Sequence, residues 1–411
     1  MSPVIDSRLP ALAEVMVRVG VNLQPGQPLL ITEPYELQGV HPETEPLIAA
    51  IAAVAAGSTV RVITADPPRL RALAADNDHR GYETLVSGHI QQLDRHLADG
   101  GAFLFLQGSQ PQLMAGLPAD RLARFDLVKW RHLGPLIQRL VRGATQWTLA
   151  PVPSTSWADV AFPELPAADR LTALWQSVFA ALRVAPTGDP AHPPVDPIGQ
   201  WQNHLALLAR RRTELDIARH RRVRFTGPGT DLTFDLPRSH AWCTAQLVSK
   251  TGVPFVANLP TEEVFTAPHK NSATGLARIT RPIVHGGSTI EGLELEFNRG
   301  RVVGARARTG QDALEHLLAT DSGACRIGEV ALVTDRPRWA SVATPTLVAV
   351  GDIGDHPVPR LFHHTLLDEN AAHHIALGQA YRFCSRAWLP FALNSSQVHL
   401  DLPLDAKIEL S

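Results

Sequence analysis

Pro28-Leu29-Leu30-Ile31-Thr32, then the alanine-rich stretch from Thr44 to Ala56, then Val60-Arg61-Val62-Ile63-Thr64 decide how the first half of this chain folds. The two short apolar runs read as strands, and the alanine-rich segment between them has helical propensity. Ala102 to Leu106 repeats the strand pattern, while Leu70 to Ala75 and Leu117 to Leu127 look helical. Strands separated by helices point to α/β layers around a parallel sheet. Gly101 and Gly108 flank a strand without the spacing of a phosphate-binding fingerprint, which argues against nucleotide binding.

Downstream, the Pro-rich stretch from Ala185 to Pro197 reads as a linker. It leads into a helical segment from Trp201 to His220. Trp201, Leu205, Leu208 and Leu215 keep one period there, with Arg210 to Arg212 on a solvated face. From Arg222 the character changes. Val223 to Thr226 and Leu232 to Phe234 flank the turn Gly227-Pro228-Gly229, and Glu294 to Phe297 and Val302 to Ala305 flank Asn298-Arg299-Gly300. Both read as hairpins. The expectation is an α/β N-terminal domain over 1–215 and an α+β, β-rich C-terminal domain over 216–411 with one inserted helix, 368 to 383.

Composition removes several function classes. Among 411 residues, Lys+Arg 38 against Asp+Glu 40 gives a net charge of −2. No basic stripe for nucleic acid or polybasic membrane patch results. No apolar run reaches membrane-spanning length, and the opening Met1-Ser2-Pro3-Val4-Ile5-Asp6 lacks a signal-peptide pattern. Cys243, Cys325 and Cys384 are scattered and odd in number, which suits a reducing, cytoplasmic setting and no zinc-thiolate site. Of the 18 histidines, His269, His285, His356, His363 and His364 read as solvated loop residues.

The chemistry concentrates towards the end. Leu366 to Tyr381 reads as a helix containing Glu369, His373, His374 and Tyr381. At about 100° per residue, His374 and Tyr381 would share a face. Asp368 and Asn370 would cap its start, and His373, four residues after Glu369, would pack rather than ligate. In Val398-His399-Leu400-Asp401, a strand would turn His399 and Asp401 to one side. His, His, Asp and Glu are the ligand types of a hydrolytic zinc or cobalt site. Two further carboxylates stand out. Glu263 lies between Pro260 and Pro268, beside a Glu262 read as its solvated neighbour. Glu329 sits in the apolar run Ile327 to Val333, where it must face solvent, pair with a cation or bind a metal.

Four phrases in order carry a resemblance: Asn258-Leu259-Pro260-Thr261-Glu262-Glu263-Val264-Phe265-Thr266-Ala267-Pro268, Ile327-Gly328-Glu329-Val330-Ala331-Leu332-Val333, Leu367-Asp368-Glu369-Asn370-Ala371-Ala372-His373-His374-Ile375-Ala376-Leu377-Gly378-Gln379-Ala380-Tyr381 and Ser396-Gln397-Val398-His399-Leu400-Asp401. Together they resemble the aminopeptidase T/aminopeptidase S family, metallopeptidase family M29. The resemblance implies two divalent ions (Zn, Co or Mn) held by Glu263, Glu329, Glu369, His374, His399 and Asp401. Glu329 would be shared between both metals, and Tyr381 would steady the tetrahedral intermediate. It further implies a homodimer that removes N-terminal residues, apolar and Leu-like, from peptides with a free N-terminus, through a hydroxide activated by the two metals. The stretch from Thr334 to Thr365 looks longer than the family's connection, and Ser411 follows Asp401 sooner than the family's usual ending. One alternative is a mononuclear Fe(II) ring-cleaving dioxygenase of the dihydroxypyridine type on the same fold. It would use His374, His399 and Asp401 and leave Glu263, Glu329 and Glu369 unexplained. Another is a binding protein that kept the pocket without the catalysis.

Overall fold

The computed structural model describes residues 7–33, 39–108, 110, 113–184, 196–279, 281–285, 288–333, 360–388 and 391–411. The expected linker from Ala185 and most of the loop from Thr334, with Arg336, Trp339, Asp352 and His356, lie outside the described residues.

Strands β1 (Leu29–Thr32), β2 (Val60–Val62), β3 (Ala102–Gln107) and β4 (Trp147–Pro151) form a parallel sheet in the order β2-β1-β3-β4. Around it lie helices α1 (Leu9–Glu14), α2 (Glu45–Val54), α3 (Pro67–Ala75), α4 (His79–Ala98), α5 (Ala119–Val141), α6 (Thr155–Ala161) and α7 (Ala167–Ala181). The runs of β1 and β3 are continuously apolar because both faces of the sheet are covered there, whereas the edge strand β2 exposes Arg61. Leu29, Ile31, Leu104 and Leu106 enter one core cluster, while Leu30, Phe103 and Phe105 enter another. Helix α8 (Pro197–Ala218) follows, with Arg210, Arg211 and Arg212 exposed. Its Trp201 packs in the first cluster and its Leu208 and Leu215 in the core of the second half, so the helix runs from one core to the other.

The second half is built on two antiparallel sheets. Strands β5 (Arg222–Gly227), β6 (Thr230–Asp235), β10 (Thr274–Ile279), β13 (Leu293–Asn298), β14 (Arg301–Arg306) and β18 (Lys407–Leu410) order as β14-β13-β10-β6-β5-β18. Two small hairpins, β7 (Gln246–Val248) with β8 (Pro254–Val256) and β11 (Ile283–His285) with β12 (Ser288–Ile290), sit apart from it. The other sheet has the order β17-β16-β15-β9, from β9 (Glu263–Thr266), β15 (Ile327–Val333), β16 (His374–Gly378) and β17 (His399–Pro403).

The helix expected over 368 to 383 is not formed. A short helix, α10 (Thr365–Asn370), ends before the histidines, and His374 to Gly378 is the central strand β16. The physical reason is a period of two. Ile375 and Leu377 enter the core while His374, Ala376 and Gly378 face the other way. A further helix, α9 (Gln311–Ala319), also belongs to this half, so it holds more than one.

A β-bulge decides which way Glu329 points. Ile327 pairs with Leu377, but Glu329 pairs with Ala376, so Gly328 is the extra residue. Without it, Ile327 and Glu329 would share a face. With it, Ile327, Val330 and Leu332 go to the core and Glu329 goes to the opposite side. A Cβ at Gly328 would lie 2.3 Å from the carbonyl oxygen of Gly378 and 2.6 Å from that of Gln379. Gly328→Ala is therefore expected to cost about 1–3 kcal/mol, as in other overpacked sites, and to lower activity by displacing Glu329. Urea unfolding checks this, and an unchanged midpoint would remove the argument.

Candidate metal centre

One face of the β17-β16-β15-β9 sheet collects the acidic and imidazole side chains. On β17, His399 pairs with Gly378 and Asp401 with Ala376. On β15, Glu329 pairs with Ala376 and Ala331 with His374, while Val333 pairs with Glu263 at the start of β9. Period two then turns His399, Asp401, His374, Glu329 and Glu263 to the same side. The opposite face holds Leu400, Leu402, Ile375, Leu377, Val330, Leu332 and Val264, all in the core. Between the ligand-type residues stand Ala331, Ala376 and Gly378, whose small size leaves space above the sheet.

The side chains converge. Among the described residues, Glu263, Glu329 and His374 offer ligand atoms that all lie within 4.8 Å of one another. His374 Nε2 is 3.2 Å from Glu263 Oε2 and 3.9 Å from Asp401 Oδ1. His399 Nε2 is 3.4 Å from Asp401 Oδ1 and 3.6 Å from Glu329 Oε2. Glu369, at the end of α10, adds a carboxyl that hydrogen-bonds Asp401. Tyr381 lies at the edge, its ring centroid 5.1 Å from that of His399 and stacked on Phe383 at 5.2 Å. The tyrosine thus reaches the site from a turn after β16, and it shares no helix face with His374.

Backbone carbonyls orient both imidazoles. His399 Nδ1 lies 2.9 Å from the carbonyl of Gln379, and His374 Nδ1 lies 3.2 Å from that of Glu369. With the Nδ1 protons donated there, each Nε2 faces the carboxylates in the form a metal ligand needs.

The electrostatics suit a cation. Oε2 of Glu263 and Oε2 of Glu329 are buried and accept no hydrogen bond from the described residues. Burial, with Asp401 close by, pushes Glu263 up to about 8; His399 only partly opposes this. Burial likewise lifts Glu329 to about 8 against the pull of His399, with Glu263 and Asp401 adding to the rise. Burial and the charges of Asp401 and Glu263 hold Glu369 well above the usual carboxylate range. Burial opposes ionisation of Asp401 as well, but His399 outweighs it and holds Asp401 down at about 2. Burial disfavours the charged His399, yet Asp401 and Glu329 raise it to about 10. Orphaned buried carboxylate oxygens facing preset imidazole nitrogens fit divalent metal, which would satisfy the oxygens and stabilise their ionised forms. His374, His399 and Asp401 are themselves neighbours, so what separates this cluster from a mononuclear iron triad is the added Glu263 and Glu329.

Several surrounding residues differ from expectation. Glu262 is buried and paired, with Arg183 Nη2 at 2.8 Å, because its neighbour Glu263 occupies the other side of the strand. Asn370 ends α10 instead of capping its start, and its Oδ1 accepts the Glu262 amide at 2.7 Å. Asp368 does tie the approach to α10, accepting the amides of Phe362 and His364. His364 is buried against Trp157, ring centroids 4.5 Å apart, and burial lowers it to about 4. It was expected in solvent because the doublet His363-His364 gives no clue that Trp157, far away in sequence, covers one of the pair. His373 Nδ1 accepts the amide of Val333 at 3.1 Å and so joins β15 to the start of β16. A pocket lined by Pro282, Ile283, His364, Thr365 and Pro403 opens beside Glu369 and Asp401. No helix among the described residues is long and apolar enough to cross a membrane.

The family model and the curated relatives point to the same family. The family model described as thermophilic metalloprotease (M29) matches residues 5–408. Aminopeptidase T of Thermus thermophilus is 34% identical over 402 residues, covering 96% of this chain and 91% of its own. Aminopeptidase AmpS of Bacillus subtilis is 31% identical over 410 residues, covering 98% and 93%. Among solved structures, wild-type AmpT from Thermus thermophilus superposes with a TM-score of 0.82 at 32% identity, covering 98% of this chain and 94% of that one.

Proposed function

Because the chain belongs to the M29 metallopeptidase family, whose characterised relatives are aminopeptidases, we propose that it removes apolar, Leu-like N-terminal residues from peptides using two divalent metal ions at this cluster. The observation that carries the reading is the pair of buried, hydrogen-bond-free oxygens on Glu263 and Glu329 beside His374. Glu263, Glu329, Glu369, His374, His399 and Asp401 would hold the metals, with Glu329 between them. Zinc, cobalt and manganese all suit this set of oxygen and nitrogen donors. When bound, such ions supply Lewis acidity and lower the pKa of water towards neutrality.

The protein's own groups supply placement. Five of the six donors stand on strands of the sheet, Glu263 at the end of its ladder, and Ala376, Gly378 and Ala331 keep bulk away from them. The carbonyls of Gln379 and Glu369 prevent either imidazole from rotating out of line. The carboxylate-rich end of the pocket, at Glu369 and Asp401, suits the substrate's α-ammonium, which accounts for exopeptidase action. Pro282, Ile283 and Pro403 line the apolar side of that pocket. Tyr381, beside His399, is the donor suited to the developing oxyanion. A cytoplasmic homodimer belongs to the same reading; the family resemblance supports the dimer, and three free cysteines support the reducing location.

The test is hydrolysis of a leucine anilide by chelator-treated protein before and after adding Zn(II), Co(II) or Mn(II). Cleavage restored by metal, and absent with the N-acetylated anilide, is expected. Equal cleavage of the acetylated substrate would overturn the α-ammonium step. No cleavage with any of these metals would overturn the peptidase reading.

A further inference from the structure

Consecutive residues entering a strand point to opposite sides. With Glu263 turned to the carboxylate cluster, Glu262 is turned towards α7 and α8. There Arg183 Nη2 donates to both carboxylate oxygens of Glu262 at 2.8 Å. Arg183 follows the end of α7 with φ +59°, its Nη1 donates to the carbonyl of Ala181, and its guanidinium lies 4.8 Å from the Trp201 ring centroid. His204 of α8 meets the carbonyl of Thr261 at 2.7 Å and lies 3.5 Å from Glu262 Oε2. From the other side, Asn370 accepts the Glu262 amide. Thr261, Glu262, His204 and Asn370 are all buried.

The sheet alone does not place Glu263. Strand β9 closes the sheet with one outer bridge, Cys243 to Phe265, two residues beyond Glu263; Glu263 is its first residue, and its ladder partner Val333 is the last residue of β15. The ladder ends where the ligand begins, so the backbone before Glu263 needs another anchor. Stability is a weak reason to keep a buried ion pair, since replacing such pairs by apolar residues is often neutral or stabilising. A guanidinium whose Nη2 spans both Glu262 oxygens while its Nη1 is held by the Ala181 carbonyl does supply direction.

We propose that Arg183, Glu262 and His204 are positioning residues that fix Glu263 for metal binding, so that helices of the N-terminal half set the metal affinity of a centre carried by the C-terminal half. The inference rests on Glu263 being a metal ligand. None of the three touches substrate; they act through the backbone of 261–263.

The test uses the full-length protein and metal alone, with Zn(II) affinity read by competition against a chelating dye and thermal unfolding followed in parallel. Arg183→Met/Glu262→Met removes both charges together. It is expected to unfold near the wild-type temperature and to bind Zn(II) about 10–100-fold more weakly, the usual effect of losing support behind a ligand. Arg183→Lys keeps the charge but loses the planar pair of nitrogens that joins Ala181 to Glu262, and should weaken binding by a smaller factor, at most about 10-fold. Should the double variant not fold, Arg183→Lys carries the test. Wild-type Zn(II) affinity in the folded variants overturns the proposal. Glu263→Gln is the control. Weakened binding there with normal binding in the Arg183 variants defeats the positioning role alone, whereas wild-type binding in Glu263→Gln defeats the ligand reading on which it rests.

Discussion

Glu329→Gln is expected to leave a folded protein that cleaves a leucine anilide at least about 10³-fold more slowly than wild type. The amide keeps the shape of the side chain but cannot supply a charged oxygen to a shared metal site. The same change should help the metal-free fold. Glu329 is buried, and burial holds its carboxyl at about 8, so above that pH the native state carries an ionised group that burial penalises. Removing the charge takes away a penalty on the order of a few kcal/mol. In chelator at pH 8.5, Glu329→Gln should therefore unfold at a higher temperature than chelated wild type. In excess Zn(II) the order should reverse, because wild type gains more from binding. Activity within tenfold of wild type would exclude Glu329 from the centre.

The second large effect is a pH-dependent response to metal. In the metal-free protein Glu263 and Glu329 are raised to about 8 and His399 to about 10. For each, the native state holds more protons than the unfolded chain between the ordinary and the raised value. Stability must then fall as pH rises, from about 4.5 to 8 for the two glutamates and from about 6.5 to 10 for His399. Asp401 works in the opposite sense. Lowered to about 2, it adds stability above its ordinary value that is lost only as the pH falls towards 2. Metal binding needs the deprotonated ligands and is itself folding free energy, so it strengthens over the range in which the metal-free protein weakens. The rise in unfolding temperature on adding Zn(II) should be small at pH 5 and grow steadily to pH 8. Thermal melts with and without chelator at several pH values measure it directly. A rise that is constant with pH would mean that these carboxylates are not the ligands.

Much of this was readable in the chain because it depends on local pattern. The runs at 28–32 and 102–106 became β1 and β3, since unbroken apolar stretches suit strands covered on both faces, and 60–64 became the edge strand β2 with Arg61 exposed. His399 and Asp401 share a side because period two needs no tertiary help. The segment from Leu366 to Tyr381 reads as a helix because the seven-residue spacing of His374 and Tyr381 fits a helical period, while the alternation of Ile375 and Leu377 fits a strand. Packing of β16 between β15 and β17 settles the choice in favour of the strand.

By itself the sequence determined the residue types of the centre, the family to which they belong and the layered α/β opening, all of which follow from short-range pattern and ordered motifs. Only the tertiary structure decided that Gly328 bulges to turn Glu329 out of the core, that Glu262 is buried and paired with Arg183, and that His364 lies under Trp157. Each of these depends on a partner distant in the chain, and whether a charged or polar side chain meets water or another residue is settled only when the fold brings that partner to it.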